Sequence, residues 1–316
     1  MCRPGCCCDK EETRGHTQVP PYREKQETMF SIIVLTHNNA ELTKRCLESI
    51  RGSKDADWEL CVVDNASSDG TRELLREMAI AFKRAGRTMF VLLNDSNVGC
   101  STGRNLGISN TTGDFVVFMD NDVAVGDDGW LGTLRGTIES APSEELGTGS
   151  RVGIVVPKLV FADNTGMIQC AGGAVSRTGR VQFVGRGEPA DDPRFNVRRD
   201  VQFGISACMM LKRAVVRDIG LLDEAFNPVQ FEDIDYCYRA RSKGWRVVYE
   251  PSVTMLHDES ATTAGVARSR NAYTVVKHGM LFKERWRHMF ETEDGPDDKD
   301  IVWKPLGRFA KNDRME

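Results

Sequence analysis

Two carboxylates one residue apart, Asp120 and Asp122, follow the apolar run Phe115 to Met119. Hard divalent cations take oxygen ligands, and Mg²⁺ or Mn²⁺ commonly joins one or two carboxylates to substrate phosphates. The pair can therefore hold a phosphorylated substrate through a metal. Asp and Asn also favour turns, so a plain turn is the competing reading. Glu232, Asp233 and Asp235 open a second candidate segment, at the start of a helical pattern. Carboxylates suit the positive end of a helix dipole, but capping needs one such residue and three are present. Asp233 next to a metal-held donor can act as general base on an attacking hydroxyl. His257 is either a satisfied surface histidine or the nitrogen ligand that completes the metal site.

The apolar pattern defines the elements that must position these residues. Phe30 to Leu35 reads as a buried strand, stopped by Thr36-His37-Asn38-Asn39. Leu42, Cys46, Leu47 and Ile50 then recur at helical spacing. Leu60 to Val63 is a second strand ending in Asp64, followed by a helix with Leu74, Leu75, Met78 and Phe82 on one face. Met89 to Leu93 is a third strand, residues 101–110 a helix bearing Arg104, and Phe115 to Met119 a fourth strand. Such alternation means βαβ units on a parallel sheet, whose ligands bind at the C-terminal strand ends. Thr36-His37, Asp64 and Asp120-Asn121-Asp122 all fall at such ends, so three polar clusters converge on one crevice.

The second half changes character. Residues 153–161 read as a strand pair or a bent strand, and 166–187 as glycine-rich β structure. Residues 188–200 read as a mobile polar loop, 208–211 as a buried strand and 215–222 as a short helix. Residues 247–249 form the last expected strand. From Arg268 to Phe290 a basic amphipathic stretch either packs on the body of the protein or lies on an anionic membrane; packing is the favoured reading. Residues 291–316 are expected to be loosely ordered.

Composition sets the outer bounds. The 316 residues are 40% hydrophobic and 28% charged, as in soluble globular proteins, and can bury a full core. The net charge of −4 gives no field that would gather nucleic acid. No apolar run has the length of a membrane span, and no apolar signal region opens the chain. Four of the ten cysteines crowd the first eight residues, and the other six are scattered in mostly apolar segments. That suits reduced buried thiols in a cytosolic protein. The Cys2-x3-Cys6-Cys7-Cys8 cluster lacks paired metal-ligand spacing, so residues 1–28 are expected to be a disordered, Cys-rich extension.

The constellation resembles glycosyltransferase family 2. The matching segments are Ser31-Ile32-Ile33-Val34-Leu35-Thr36-His37-Asn38, Val62-Val63-Asp64-Asn65-Ala66-Ser67-Ser68-Asp69-Gly70-Thr71, Asn97-Val98-Gly99 and Gly103-Arg104-Asn105. Phe118-Met119-Asp120-Asn121-Asp122-Val123, Ile168-Gln169-Cys170-Ala171-Gly172-Gly173 and Gly220-Leu221-Leu222-Asp223-Glu224-Ala225-Phe226 follow. Glu232-Asp233-Ile234-Asp235-Tyr236-Cys237-Tyr238-Arg239, Tyr249-Glu250-Pro251 and His257 complete the series. Their order and spacing resemble most closely the rhamnosyltransferase-like branch.

The resemblance implies a GT-A fold: an α/β protein with a Rossmann-like, mostly parallel central sheet flanked by helices, plus a smaller mixed acceptor-side sheet. Residues 29–258 would be the catalytic domain, with a nucleotide-sugar half to about 125 and an acceptor half from about 126. Residues 259–316 would be a helical extension and tail. Thr36, His37 and Asp64 would hold the base and ribose of a UDP-, dTDP- or GDP-linked donor, and Arg104 would face the nucleotide crevice. Asp120 and Asp122 would bind Mg²⁺ or Mn²⁺ on the diphosphate, with His257 as the ligand from the far side. Asp233 would be the base, with Glu232 or Asp235 shaping the acceptor site.

These roles imply an inverting enzyme that adds one sugar at a time to a saccharide, a lipid-linked saccharide or another small acceptor. It would be cytoplasmic, or peripheral on the inner face of the membrane, with no nucleic-acid partner. His37 departs from the family, since many relatives carry tyrosine there; a histidine can still stack on a base. The competing classes are a nucleotidyltransferase of related fold and a non-catalytic sugar-binding relative. The first expects a glycine-rich phosphate loop where Thr36-His37-Asn38-Asn39 stands. The second is disfavoured by the presence of Asp120, Asp122, Asp233 and His257.

Overall fold

The computed structural model describes residues 30–54, 57–140, 151–258 and 268–301. The expected extension 1–28 with its cysteine cluster, and residues 302–316, lie outside the described residues.

Strand β1 (Phe30–Thr36) is buried along its whole length. Chain order continues with α1 (Ala40–Arg51), β2 (Trp58–Asp64), α2 (Thr71–Arg84), β3 (Thr88–Leu93), α3 (Cys100–Ser109) and β4 (Phe115–Asp120). All four strands are parallel, with β1 between β2 and β4. Successive side chains of a strand face opposite ways. Ile32 and Val34 thus join the core cluster that holds Leu47 and Ile50 of α1 and Leu75, Met78 and Phe82 of α2. Ile33 and Leu35 join the opposite cluster with Ile108 of α3. The sheet is covered on both faces, as a parallel sheet requires.

Glycine permits the close approach of α3. A Cβ on Gly107 would overlap Ile33 Cγ2, and one on Gly103 would overlap Leu35. Gly107→Ala is therefore expected to destabilise the fold by about 1–3 kcal/mol through overpacking. A urea midpoint equal to that of the wild type would contradict this packing.

The second half continues with β5 (Val123–Val125), α4 (Trp130–Glu139), β6 (Arg151–Phe161), β7 (Asn164–Cys170), β8 (Gly173–Val175) and β9 (Val181–Phe183). Then come β10 (Arg199–Asp200), β11 (Cys208–Lys212), α5 (Arg213–Ile219), α6 (Glu232–Ser242), β12 (Trp245–His257) and α7 (Arg268–Phe290). The main sheet runs β10-β12-β6-β11-β4-β1-β2-β3, with β5 on β12 and β7 on β6, and β8 and β9 form a separate antiparallel pair. Strand β11 is antiparallel to both β4 and β6, whereas β6 and β12 pair in parallel. Strand β12 shifts register between Glu250 and Thr254, across Pro251, so its second half reaches β5 at the end of β4. A bulge of this kind bends a strand, and proline removes a ladder donor where it occurs.

Several sequence expectations need correction. Of the two readings of residues 153–161 the single strand holds, beginning at Arg151, but the last strand runs from Trp245 to His257, well beyond 247–249. The loop 188–200 is tied down: a short helical turn spans Pro193–Phe195, β10 pairs with β12, and Lys158 Nζ donates to Ala190 O at 2.9 Å. Residues 291–301 also dock, because Glu293 accepts from Arg241 at 2.7 Å and from Gln202 at 2.6 Å. Helix α7 packs on the body through Phe282 and Phe290, both buried. Its Arg285 is held by Asp223 and Asp235, and Arg287 lies 3.7 Å from Glu291. Arg285 is thereby paired with the body of the protein, whereas the Arg287 pair is exposed. No helix among the described residues is long and apolar enough to cross a membrane.

Candidate functional site

The register of the sheet builds the site. Thr36 stands beside Asp64, and Leu35 beside Asp120, so the C-terminal ends of β1, β2 and β4 align. From the other side, His257 at the end of β12 pairs with Val123 of β5 and Phe161 of β6. One ligand atom each from Asp120, Asp122 and His257 lies within 4.8 Å of the others. His257 Nε2 is 3.3 Å from Asp122 Oδ1. The opposite ring nitrogen, Nδ1, lies 2.8 Å from Gln169 Oε1. Two carboxylates and an imidazole so placed fit a divalent cation such as Mn²⁺ or Mg²⁺.

The loop before Asp122 is held by its middle residue. Asn121 donates through Nδ2 to Thr43 Oγ1 at 2.8 Å and to Asn38 O at 3.1 Å. It thereby ties the acidic pair to the turn after β1. That turn carries Asn38 and Asn39 in the left-handed region, at φ 62° and 61°. Asparagine tolerates this conformation better than most residues. Asn38 Oδ1 in turn accepts from Ser68 N at 2.8 Å, and Asn38 N donates to Ser67 Oγ at 2.7 Å.

The residues expected to hold a nucleotide are placed unequally. His37 is half-buried, and its Nδ1 lies 2.6 Å from Asn65 O. Asp64 is fully buried, accepting from Arg72 Nε at 2.7 Å and from Ser67 N at 3.2 Å. Thr36 turns its hydroxyl to Thr43 Oγ1 at 3.1 Å and is 1% exposed, so its side chain packs on α1 rather than lining an open crevice.

Arg104 also departs from its expected place. It is 1% exposed, with Nη2 2.6 Å from Asp120 Oδ1 and Nη1 3.1 Å from Glu232 Oε1. Two carboxylates capture the guanidinium, which bridges the cation site to the start of α6 instead of facing the nucleotide crevice. A buried cation is stable only with such partners. Burial pushes the Asp120 carboxyl up, against the opposing pull of Arg104.

Helix α6 supplies the acidic cluster. Gln230 and Phe231 precede it at φ 82° and 71°, a left-handed conformation that costs a non-glycine residue about 1–3 kcal/mol. The Phe231 ring packs 5.7 Å from Phe282 of α7. Asp233 is half-buried and accepts from Ser206 N at 3.1 Å and Ile234 N at 2.8 Å. Burial raises its carboxyl above the ordinary range, while these backbone donors restrain the shift. Asp235 was expected to help shape an acceptor site, but it is fully buried. It accepts from Trp286 Nε1 and Arg239 Nε, both at 2.9 Å, and so anchors α7.

Glu232 is buried, and burial together with the Asp233 charge pushes its carboxyl up to about 7. Its folded value lies above the unfolded one, so its contribution to stability is full at pH values below the ordinary carboxylate range. That contribution is lost as pH rises through about 7. Without added metal, wild type is expected to lose stability relative to Glu232→Gln over that interval. A pH-independent difference between their urea midpoints would contradict the assignment.

Sequence reasoning assigned no role to Gln169, Asn121 or Arg72. Gln169 and Asn121 lie inside matched motifs, which was the available signal. Their partners are 88 and 78 residues away in sequence.

Comparison with known proteins bears on the family and the fold. The chain is 27% identical over 268 residues to the uncharacterized protein y4gI of Sinorhizobium fredii, covering 82% of this chain and 28% of that one. It is 27% identical over 234 residues to the pre-mycofactocin glycosyltransferase of Mycobacterium tuberculosis, covering 72% of this chain and 42% of that one. The chain thus spans less than half the length of these curated relatives. Among solved structures it is similar to a mannosyltransferase from Pyrobaculum calidifontis, determined in complex with GDP-Man and Mn²⁺. The TM-score is 0.55 at 18% identity, over 84% of this chain and 65% of that one. That likeness shows the GT-A fold. The sequence model of glycosyl transferase family 2 matches residues 31–220, more than half of the chain, and the protein belongs to that family.

Proposed function

We propose that the protein is a metal-dependent, inverting glycosyltransferase that moves a sugar from a nucleotide-sugar donor to an acceptor hydroxyl. The observation that carries this reading is the meeting of Asp120, Asp122 and His257 within 4.8 Å at the strand ends, with Asp233 on the neighbouring helix. The Mn²⁺ and GDP-Man in the Pyrobaculum mannosyltransferase support a donor of this chemical class.

Each residue then has a task. Asp120, Asp122 and His257 would hold Mn²⁺ or Mg²⁺. A cation held there would supply positive charge to offset that of the departing nucleoside diphosphate, a place where electrostatic stabilisation is worth most. The turn at His37 and the Asp64–Arg72 pair border the nucleoside end. Asp233 takes the proton from the acceptor hydroxyl as its oxygen attacks the anomeric carbon from the face opposite the leaving group. One displacement inverts that carbon. A carboxyl raised by burial is the stronger base for this step. Glu232 and Arg104 set the charge around Asp233 and Asp120. In this reading residues 29–125 serve the donor and 126–258 the acceptor, which is a saccharide, a lipid-linked saccharide or another small hydroxyl compound.

Product analysis tests the reaction class. Incubation with UDP-, dTDP- and GDP-sugars, Mn²⁺ and mixed saccharide acceptors is expected to release nucleoside diphosphate. Release of pyrophosphate from a nucleoside triphosphate and a sugar phosphate would instead establish a nucleotidyltransferase.

A further inference from the structure

Gln169 occupies an irregular position in β7. Leu159 of β6 pairs with Cys170 and the next residue, Val160, pairs with Ile168, so Gln169 is an extra residue in the ladder. The effect is visible in the packing. Residues two apart on a regular strand share a face. Here Ile168 joins one core cluster and Cys170 the cluster on the opposite face of the sheet. Bulges of this type re-aim a side chain and occur often next to active sites.

The re-aimed side chain reaches His257. Strand β6 lies between β7 and β12, with Leu159 and Val160 paired to both. From this position Gln169 Oε1 comes within 2.8 Å of His257 Nδ1. Gln169 is 1% exposed, and its amide nitrogen has no hydrogen-bond partner among the described residues. Burying a half-satisfied amide is unfavourable. An apolar residue would avoid that cost, so the amide oxygen is the part of the side chain with a use.

We propose that Gln169 is a positioning residue that fixes the His257 ring with its proton on Nδ1. This rests on the cation reading of the site. Nδ1–H donates to Gln169 Oε1, and Nε2, 3.3 Å from Asp122 Oδ1, presents its lone pair to the cation position. A hydrogen bond to one ring nitrogen sets the tautomer and orientation of the other. The reversed amide would donate to Nδ1 and leave the proton on Nε2, a form that cannot ligate.

The test reads the ring itself. In metal-free protein with ¹⁵N-labelled histidine, long-range proton–nitrogen correlation at alkaline pH reports the neutral tautomer of each ring, with His257 assigned by its loss in His257→Gln. Wild type is expected to carry the His257 proton on Nδ1. Gln169→Met, similar in shape but without the acceptor, is expected to give a mixture of tautomers and to bind Mn²⁺ roughly 10–100-fold more weakly by electron paramagnetic resonance. Gln169→Glu restores an acceptor and is expected to keep both the Nδ1–H form and Mn²⁺ binding. A proton on Nε2 in wild type, or a ring and Mn²⁺ affinity unchanged in Gln169→Met, would overturn the proposal. If wild type and Asp122→Asn bind Mn²⁺ equally, the cation reading fails, and the tautomer measurement still decides what Gln169 does to the ring.

Discussion

Asp122→Asn is expected to lower turnover of the nucleotide-sugar donor by roughly 10³-fold, about 4 kcal/mol of transition-state stabilisation. The side chain is nearly isosteric and 4% exposed, so the fold has little reason to change. The amide removes one negative charge where a cation must be held. Asp122 is the sharper choice of the acidic pair, because it is the carboxylate that faces His257. Asp120 also ties down Arg104 at 2.6 Å, so its replacement would disturb two functions at once. The measurement is kcat/KM for nucleoside diphosphate release at saturating Mn²⁺, with circular dichroism as a check on the fold. A variant within threefold of wild type would remove Asp122 from the cation site.

Asp233→Asn separates binding from chemistry. In the proposed reading the donor would lie against the strand ends and the Asp120–Asp122 pair, whereas Asp233 stands in the first turn of α6. Donor affinity is therefore expected to stay within a few-fold of wild type, while transfer falls roughly 10²–10⁴-fold, the range for loss of a general base. The asparagine can keep one of the two backbone bonds, from Ser206 or Ile234, so the side chain retains part of its hold. A decrease confined to kcat supports the base assignment. Transfer at the wild-type rate would end it, and loss of donor affinity alone would move Asp233 into the donor site.

The parts of this architecture that were legible in the sequence are those set by local pattern. The apolar runs of β1, β2 and β4 must be buried on both faces, and the alternation with amphipathic helices leaves a parallel sheet as their arrangement. That is enough to bring Thr36, Asp64 and Asp120 to one edge, and the register confirms it. Two features stayed hidden because they depend on distant partners. Arg104 has the sequence context of a ligand-facing residue, yet Asp120 and Glu232 enclose it, and Glu232 is 128 residues away. Asp235 has the context of a site carboxylate, yet Trp286 and Arg285 from α7 claim it. The short strand β5 and the bend of β12 at Pro251 carry little periodicity of their own. They are nonetheless what brings His257 to Asp122. The bulge at Gln169 is likewise a property of strand pairing, which no single segment encodes.

The central claim is that Asp120, Asp122 and His257 hold a divalent cation on the diphosphate of a nucleotide sugar. Thermal unfolding with UDP-, dTDP- and GDP-sugars, each with and without Mn²⁺, tests it most directly in wild type and Asp122→Asn. Binding to the native state raises the melting temperature by mass action. At least one donor is expected to stabilise the wild type only when Mn²⁺ is present, and to have no such effect on Asp122→Asn. Equal stabilisation without Mn²⁺, or equal stabilisation of the variant, would contradict the claim.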